Sequence, residues 1–355
     1  MGEQRHVLFM DTKKDNEAQS YNALAVALGG DYRKLATAKE KYKTWERAWE
    51  QEQRTNNVSK EREWEKLEKH NIKLSLNTDP EFPELLKEMP WQPHALYWKG
   101  DGLKSNESRV AIVGTRKCTP QGGKIAREFG RDVARRGVVV VSGLAMGIDT
   151  NAHEGALDER GKTIAVLACG LDTTYPKQNE TLAKRIQESG GTVVSEYPPG
   201  SEAFPGRFIE RNRIVSGLSQ VSLIVESPKK SGAKATARFA LEQNREVLVV
   251  PGSIKHPNYA GSLELIQGGA GLAISAEDIL RCFGDAFVAP EYEQEKALSD
   301  PVQTVIVKTL QQSGEPLTVD KIQKLSKIDL ITLNQYLGMM VVEEKINEQG
   351  GRYYL

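Results

Sequence analysis

Glycine-rich segments that carry arginine or lysine follow several short apolar runs in the middle of the chain. Glycine lets a backbone approach a phosphate closely, and arginine and lysine supply the compensating charge. The residues that we expect to contact a ligand are Gly114, Thr115, Arg116, Ser142, Gly143, Gly147, Gly170, Lys177, Arg211 and Arg213. These residue types and their spacing predict a binding site for a polyanion.

A tight turn is the alternative explanation for each segment taken alone, because glycine after a strand often serves only the turn. Six segments share the same bias, and this repetition favours binding. Arg116 and Lys177 follow different apolar runs, yet a parallel sheet places both at the same end. For this pair we favour a binding role over a solvated surface.

Catalysis is a second alternative. Asp149 and His153 stand one helical turn apart with Ser142 nearby, which suggests a hydrolase triad. No oxyanion arrangement is evident, so we favour a helix cap at Asp149 and a packed or phosphate-facing His153. Cys118 stands beside cationic residues that would lower the pKa of its thiol, but it has no paired base. We therefore predict a protein that is not an enzyme.

Missing motifs narrow the choice of ligand. No G-x-G-x-x-G follows the first apolar run, which argues against a dinucleotide cofactor. The string at 156–163 ends in Gly-Lys-Thr, but it lacks the first glycine of a phosphate-binding P-loop and precedes a strand. The three cysteines show no zinc-ligand spacing. We expect neither a cofactor nor a metal ion.

The elements that must position these residues alternate along the chain. Short apolar β-branched runs are separated by amphipathic segments, which is typical of βαβ units with both faces of the sheet covered. The strands predicted in this way are 110–113, 138–141, 163–168, 192–195, 221–225, 247–250 and 272–274. The pattern predicts an α/β fold with an extended, Rossmann-like, doubly wound and mostly parallel sheet.

Composition and charge divide the 355 residues further. We predict a helical N-terminal module at 1–70, a Rossmann-like domain with the ligand-binding loops at 71–288, an acidic linker at 289–300 and a small domain at 301–355. The 48 basic and 48 acidic side chains cancel, which argues against a generally cationic surface. No apolar run is long enough to span a membrane and no signal peptide is evident, so we expect a cytoplasmic protein without a membrane partner.

Two helical segments outside the middle of the chain also contain candidate residues. Trp45 and Trp49, at i and i+4, suit either a small core or the stacking of single-stranded bases, and we favour the core. Residues 330–342 contain Asn334 and Gln335 but no lysine or arginine. This favours protein contact or packing over reading of a duplex major groove.

The middle of the chain resembles the DNA-processing protein A family (DprA, also called Smf). The resemblance runs from about 105 to 282 in several blocks in the family's order. The blocks are Val-Gly-Thr-Arg at 113–116, Ser-Gly-Leu-Ala-Met-Gly-Ile-Asp at 142–149, Ala-His-Glu-Gly-Ala-Leu at 152–157, Gly-Leu-Asp at 170–172, Tyr-Pro-Lys-Gln-Asn at 175–179, Ser-Glu-Tyr-Pro-Pro-Gly at 195–200, Arg-Asn-Arg-Ile at 211–214, Gly-Leu-Ser at 217–219, Ser-Gly at 231–232 and Val-Pro-Gly-Ser at 250–253.

The resemblance implies a Rossmann-like domain with a helical N-terminal module and a C-terminal winged helix. It also implies sequence-independent binding of single-stranded DNA, a homodimer formed through the Rossmann domain, and loading of the RecA recombinase in natural transformation or recombination. By the same resemblance Arg116 and Lys177 contact DNA, and Arg211 and Arg213 belong to a third contact block.

The chain departs from the family pattern at two places. Phe208-Ile209 stands where the family has Phe-Pro, and Gly261-Ser262-Leu263 stands where it has Gly-x-Asn. The main rival reading is a nucleotide-binding or phosphoribohydrolase-like Rossmann enzyme, but the P-G-G-x-G-T-x-x-E loop of such enzymes is absent after Val250. A third reading, a winged-helix transcription factor, requires a cationic recognition helix.

Overall fold

The protein consists of two compact units, residues 1–290 and 291–355. The computed structural model describes residues 12–55, 57–104, 107–284, 300–343 and 345–355. Of the predicted acidic linker, residues 289–299 lie outside the described residues. Within the described ranges, no helix is both long and apolar enough to cross a membrane.

Four helices open the first unit: α1 (Thr12–Ala27), α2 (Tyr32–Tyr42), α3 (Trp45–Glu52) and α4 (Lys60–Lys69). The side chains of Asp31, Thr44 and Ser59 cap α2, α3 and α4 by accepting hydrogen bonds from backbone N–H groups of the first turn. These caps explain why each helix begins where it does.

A nine-stranded sheet follows. Its strands are β1 (Lys73–Leu76), β2 (Ala95–Gly100), β3 (Arg109–Val113), β4 (Val139–Ser142), β5 (Thr163–Leu167), β6 (Thr192–Ser195), β7 (Val221–Ile224), β8 (Glu246–Val249) and β9 (Gly271–Leu272). Their order is β1-β2-β6-β5-β4-β3-β7-β8-β9. β3 to β9 pair in parallel, while β2 pairs antiparallel with both β1 and β6. The predicted mostly parallel, Rossmann-like sheet is therefore confirmed.

Helices cover both faces of this sheet. The helices of the first unit after α4 are α5 (Glu84–Lys87), α6 (Pro120–Arg135), α7 (Ile148–Asp158), α8 (Glu180–Glu188), α9 (Pro205–Gly217), α10 (Gly232–Glu242), α11 (Ala260–Gln267) and α12 (Ala276–Arg281). α6, α7 and α12 share one core with the sheet, and α5, α9 and α10 share another. All residues of β3 are buried, as expected for a parallel strand covered on both faces.

The four N-terminal helices do not form an independent module, which corrects the predicted boundary at residue 70. Tyr21 and Trp45 are fully buried in a core that also contains Tyr97 of β2 and Leu167 of β5. The Tyr97 hydroxyl donates a hydrogen bond of 3.0 Å to the Asn22 side chain. Trp45 and Trp49 are both buried, so the core reading of this pair is confirmed.

The second unit has its own small core and a three-stranded antiparallel sheet. Its elements are α13 (Pro301–Ser313), β10 (Leu317–Thr318), α14 (Val319–Ser326), α15 (Leu330–Val342), β11 (Asn347–Gln349) and β12 (Arg352–Tyr354), with strand order β10-β12-β11. Ile306, Ile322, Leu333 and Leu337 are buried at its centre. The winged helix implied for this region stays a prediction.

Candidate functional site

A groove with a volume of about 700 Å³ opens at the carboxyl ends of the parallel strands. It lies where the chain order of the strands reverses, between β3 and β7, which is where open α/β sheets bind ligands. Gly114, Thr115, Arg116 and Lys117 line it from the loop after β3. Gly143 and Tyr175 line it from the loops after β4 and β5.

Cationic and aromatic side chains alternate on the groove wall. The Arg116 guanidinium is exposed and its Cζ lies 4.6 Å from the centre of the Phe208 ring. The Phe208 and Tyr175 rings are 5.4 Å apart. Tyr175 and Phe204 keep about half of their surface exposed, at 48% and 49%. Such a wall offers flat apolar surfaces beside positive charge.

The loop after β7 and the start of α10 add further positive potential to the groove lining. Lys230 is exposed, and Ser231, Gly232 and Ala233 form the amino end of the eleven-residue helix α10. The positive end of a helix dipole and its free N–H groups favour an anion. The groove therefore meets an anionic ligand with positive potential from the segments after both β3 and β7.

The backbone of the Arg116 loop is fixed by close contacts. Thr115 donates its N–H to the carbonyl oxygen of Glu226 at 2.8 Å and accepts a bond of 3.3 Å from the N–H of Ile148. Gly147 has a φ of 84°, and a Cβ there would lie 2.5 Å from the Thr115 carbonyl oxygen. Only glycine suits this close approach, so Gly147 acts by positioning the loop.

Glu226 holds the other end of the same loop, and the sequence analysis missed it. Its buried carboxylate accepts hydrogen bonds from the N–H of Thr119 at 3.0 Å, from the Thr119 hydroxyl, and from Asn258 Nδ2 at 2.9 Å. Asn258 Nδ2 also donates to the Lys117 carbonyl oxygen at 2.9 Å. Burial and the Glu226 carboxylate raise the pKa of Tyr259 to about 12.

Arg211 lines the groove but is almost fully buried. Its guanidinium is only 4% exposed and donates to the carbonyl oxygens of Gly143 and Val166. A Cβ at Gly143 would lie 2.6 Å from the Arg211 guanidinium nitrogens, which explains the glycine. Both hydrogen bonds of Arg211 use Nη1, whereas Nε has no hydrogen-bond partner among the described residues, so contact of Arg211 with a ligand stays a prediction.

The carboxylate of Asp149 interacts with the buried positive charge of Arg211. Its carboxylate accepts the N–H groups of Gly143 at 3.1 Å and Ala145 at 3.4 Å, while Gly147 stands at the N-cap of α7. The predicted helix cap is thus replaced by a bond to the preceding loop. Burial raises the pKa of Asp149, and the neighbouring Arg211 opposes this rise.

Three more predicted contact residues are buried. Arg213 is 2% exposed and donates to the Glu196 carboxylate at 2.6 Å. The Ser142 hydroxyl is fully buried and donates to the Ile112 carbonyl oxygen at 2.6 Å. Gly170 is buried against the backbone of Pro198. The structure assigns these residues to the interior, which corrects the prediction that they contact a ligand.

Lys177 is exposed at the start of a short 3-10 turn, Lys177–Asn179. Tyr175, two residues earlier, lines the groove, whereas Lys177 lies outside its lining. Arg116 and Tyr175 therefore both line the groove and both contact the Phe208 ring, whereas Lys177 lies outside the groove.

The residues that suggested catalysis have structural roles. His153 is fully buried, its Nδ1 lies 2.7 Å from the Thr163 hydroxyl, and burial lowers its pKa to about 3. Burial and Glu226 raise the pKa of the Cys118 thiol, opposite to the expected direction. Throughout the described ranges, no three His, Cys, Asp or Glu side chains are grouped as a metal site.

The most informative residues that the sequence analysis missed are the aromatic ones. Tyr175 and Phe204 stand in segments that join a strand to a helix, where an exposed large ring has no role in the core, and Phe208 lies half-buried near the amino end of α9. Their position in these segments was the sequence feature that could have identified them. The alternation of these rings with Arg116 required the structure.

Comparisons with known proteins place this geometry in context. The sequence profile of the family described as DNA recombination-mediator protein A matches residues 73–284. Protein Smf of Synechocystis is 39% identical over 248 residues, which are 68% of this chain and 62% of that protein. The matched region thus spans less than two thirds of that relative.

Two solved structures resemble this chain over more than half of its length. DNA processing protein A from Streptococcus pneumoniae is 32% identical with a TM-score of 0.59, and the match covers 76% of this chain and 94% of that chain. DNA processing protein A from Helicobacter pylori, whose structure describes a single-stranded DNA binding mode, is 32% identical with a TM-score of 0.53. That match covers 60% of this chain and 97% of the other.

Proposed function

The chain belongs to the DNA recombination-mediator protein A family, and we propose that it binds single-stranded DNA in the groove. The observation that carries this proposal is the packing of the Arg116 guanidinium on Phe208, beside the exposed rings of Tyr175 and Phe204. Cations interleaved with aromatic rings are typical of surfaces that hold a strand without reading its sequence.

The chemistry of binding divides between charge and stacking. Arg116, Lys117 and Lys230 contact phosphates, and the amino end of α10 adds donors. Unpaired bases stack on Tyr175, Phe204 and Phe208, which a duplex cannot do because its bases already stack on one another. Sequence independence follows, since phosphates and ring faces are common to all four nucleotides.

A protein partner and a further DNA contact extend this proposal. We propose that the strand is handed to the RecA recombinase in recombination or natural transformation, and that Lys177 contacts phosphates outside the groove. The support is the family membership. No catalytic step belongs to the proposed function, because Asp149 and His153 serve the interior.

We also propose a homodimer formed through the first unit. The two-residue strand β9 stands at one end of the sheet, and an exposed sheet edge is a template for pairing. Three large apolar side chains near it are exposed: Leu272 at 53%, Ile274 at 80% and Ile254 at 82%. A second copy of the chain would cover them.

The test is fluorescence anisotropy with oligo-dT and with duplex of the same length. We expect tighter binding of oligo-dT, with log K falling linearly with log salt. Arg116→Ala should weaken binding about 5-fold at 0.1 M salt. One phosphate contact contributes a slope of about 0.7 to log K against log salt, so it is worth about 5-fold in affinity at 0.1 M relative to 1 M salt. Phe208→Ala should cost about 1–3 kcal/mol, the usual value for one stacked base.

Arg131→Ala is the matched control, because Arg131 is a partly exposed arginine of α6 that pairs with Asp132 and lies outside the groove lining. Its affinity should equal that of the wild type. Equal affinity of the wild type for oligo-dT and duplex, or no loss in both groove variants, would reject the proposed site.

A further inference from the structure

Helix α2 presents a basic face to solvent. Its exposed side chains are Arg33, Lys34, Thr37, Glu40 and Lys41, which recur at helical spacing on one side. Three of them are cationic and one is anionic. The opposite side of α2 is used by the fold, since Leu35 and Ala38 are buried in the core.

The cations at the start of this face have no evident task in folding. Within the part of the chain that the structure describes, neither Arg33 nor Lys34 forms an ion pair. Lys39, in contrast, packs on the Trp45 ring at 4.7 Å and lies 4.0 Å from Glu17. Exposed cations without partners on a structured helix are available to a polyanion.

Two arginines of α9 hold the start of α2 beside the groove. The Arg207 guanidinium donates to the Gly29 carbonyl oxygen at 2.7 Å, and its Cζ lies 4.6 Å from the centre of the Phe204 ring. Phe204 lines the groove, so the Arg207 side chain connects the turn before α2 with the groove wall.

The second arginine fixes the first residue of α2. The Arg213 guanidinium lies 5.3 Å from the centre of the Tyr32 ring, whose other contact is the His94 ring, stacked at 5.0 Å. The buried ion pair of Arg213 with Glu196 holds that guanidinium in place. Arg213, first expected to contact DNA, instead acts as a positioning residue for α2.

We propose that single-stranded DNA leaving the groove past Phe204 continues along α2, with its phosphates against Arg33 and Lys34. The inference rests on the proposed function of the groove and adds a second binding segment to it. α2 has 11 residues and is about 16 Å long, the span of several nucleotides. The N-terminal helices thereby lengthen the binding site.

The experiment compares oligo-dT of about 5 and about 20 nucleotides, which bracket the usual site sizes of single-strand grooves. The double variant Arg33→Gln, Lys34→Gln should bind the long oligonucleotide about 25-fold more weakly at 0.1 M salt, from two contacts of about 5-fold each. Its slope of log K against log salt should fall by about 1.4. Its affinity for the short oligonucleotide should not change.

Two further variants complete the design. Lys66→Gln, Lys69→Gln removes the same charge from the exposed surface of α4 and should leave both affinities unchanged. Glu40→Gln removes the acid from the basic face and should tighten binding of the long oligonucleotide only.

The outcomes separate the two proposals. Unchanged long-oligonucleotide affinity and slope in the α2 variant, with Arg116→Ala still weakening both lengths, would overturn the α2 segment and leave the groove intact. Failure of the wild type to bind either length would overturn the proposed function itself. Equal losses in the α2 and α4 variants would show an effect of net charge and also overturn the α2 segment.

Discussion

Glu226 is a buried carboxylate beneath a site proposed for an anion, so its charge and its hydrogen bonds act in opposite directions. Its charge repels a phosphate, which weakens binding. Its hydrogen bonds from Thr119 and Asn258 hold the loop that carries Arg116, which strengthens binding. At short range the geometry of the loop should dominate, because Arg116 contacts the ligand only where the loop places it.

Two substitutions of Glu226 separate these effects. Glu226→Ala removes the acceptors and should weaken oligo-dT binding about 5-fold, as loss of the Arg116 contact does. Glu226→Gln keeps an acceptor for the Thr119 N–H and removes the charge, so its affinity should equal or exceed that of the wild type. Anisotropy titrations measure both affinities.

A double-mutant cycle distinguishes positioning from general destabilisation. If Glu226 acts through Arg116, Glu226→Ala should have little further effect in an Arg116→Ala background. Full additivity of the two losses would show that Glu226 acts independently of Arg116 and would contradict the positioning role.

Residue types predicted which loops build the groove but not which side chains open into it. Arg116 was correctly placed at the carboxyl ends of the strands, whereas Arg211 and Arg213 proved to be buried. The carbonyl oxygens of Gly143 and Val166 and the carboxylate of Glu196 accept their donors, and these partners lie 17 to 68 positions away in the chain. No local pattern reveals such pairings.

At the scale of elements, the strands in the middle of the chain were predictable because strands buried on both faces have short, apolar, β-branched sequences. β3, β5 and β6 begin and end within one or two residues of their predicted bounds. β1 escaped prediction because Lys73–Leu76 contains no β-branched residue and its first residue is exposed. The core of the N-terminal helices escaped prediction because Tyr97 and Leu167, which complete it, come from distant strands.

Helix α15 is the element that would enter a duplex in a winged helix that reads DNA. It carries no lysine or arginine, its exposed polar candidates are Asn334 and Gln335, and the apolar Ile331 and Val342 are exposed at 83% and 84%. Asn334→Ala, Gln335→Ala should therefore leave duplex affinity in a gel-shift titration within about 2-fold of the wild type, below the 1–3 kcal/mol of one base contact. A loss of 10-fold or more would establish duplex reading by α15.

At the scale of the molecule, two histidines, His153 fully buried and His94 partly buried, couple the stability of the first unit to pH. Burial lowers the pKa of His94 to about 4 and that of His153 to about 3. The Thr163 hydroxyl donates to the Val140 carbonyl oxygen at 2.8 Å, so it accepts a hydrogen bond from the Nδ1–H group of His153. Nε2 of His153 is then unprotonated in the folded state, and it has no hydrogen-bond partner among the described residues.

The unfolded chain binds protons at these histidines below about pH 6.5, whereas the folded chain does not until the pH falls to the lowered pKa values. The free energy of unfolding should therefore fall as the pH drops from 7 to 5, with each histidine contributing a slope that approaches about 1.4 kcal/mol per pH unit. Urea titrations followed by tryptophan fluorescence measure this in the first unit, since all five tryptophans lie between residues 45 and 98.

The variant His153→Asn isolates one of these two contributions. The asparagine amide can still donate to the Thr163 hydroxyl but does not titrate, so its unfolding free energy should depend less steeply on pH between 6 and 5. The variant should be less stable than the wild type at pH 7, because the smaller side chain leaves a cavity, and the difference should narrow at pH 5. A constant difference between the two proteins across this range would show that His153 titrates alike in the folded and unfolded chains. Burial would then not lower its pKa.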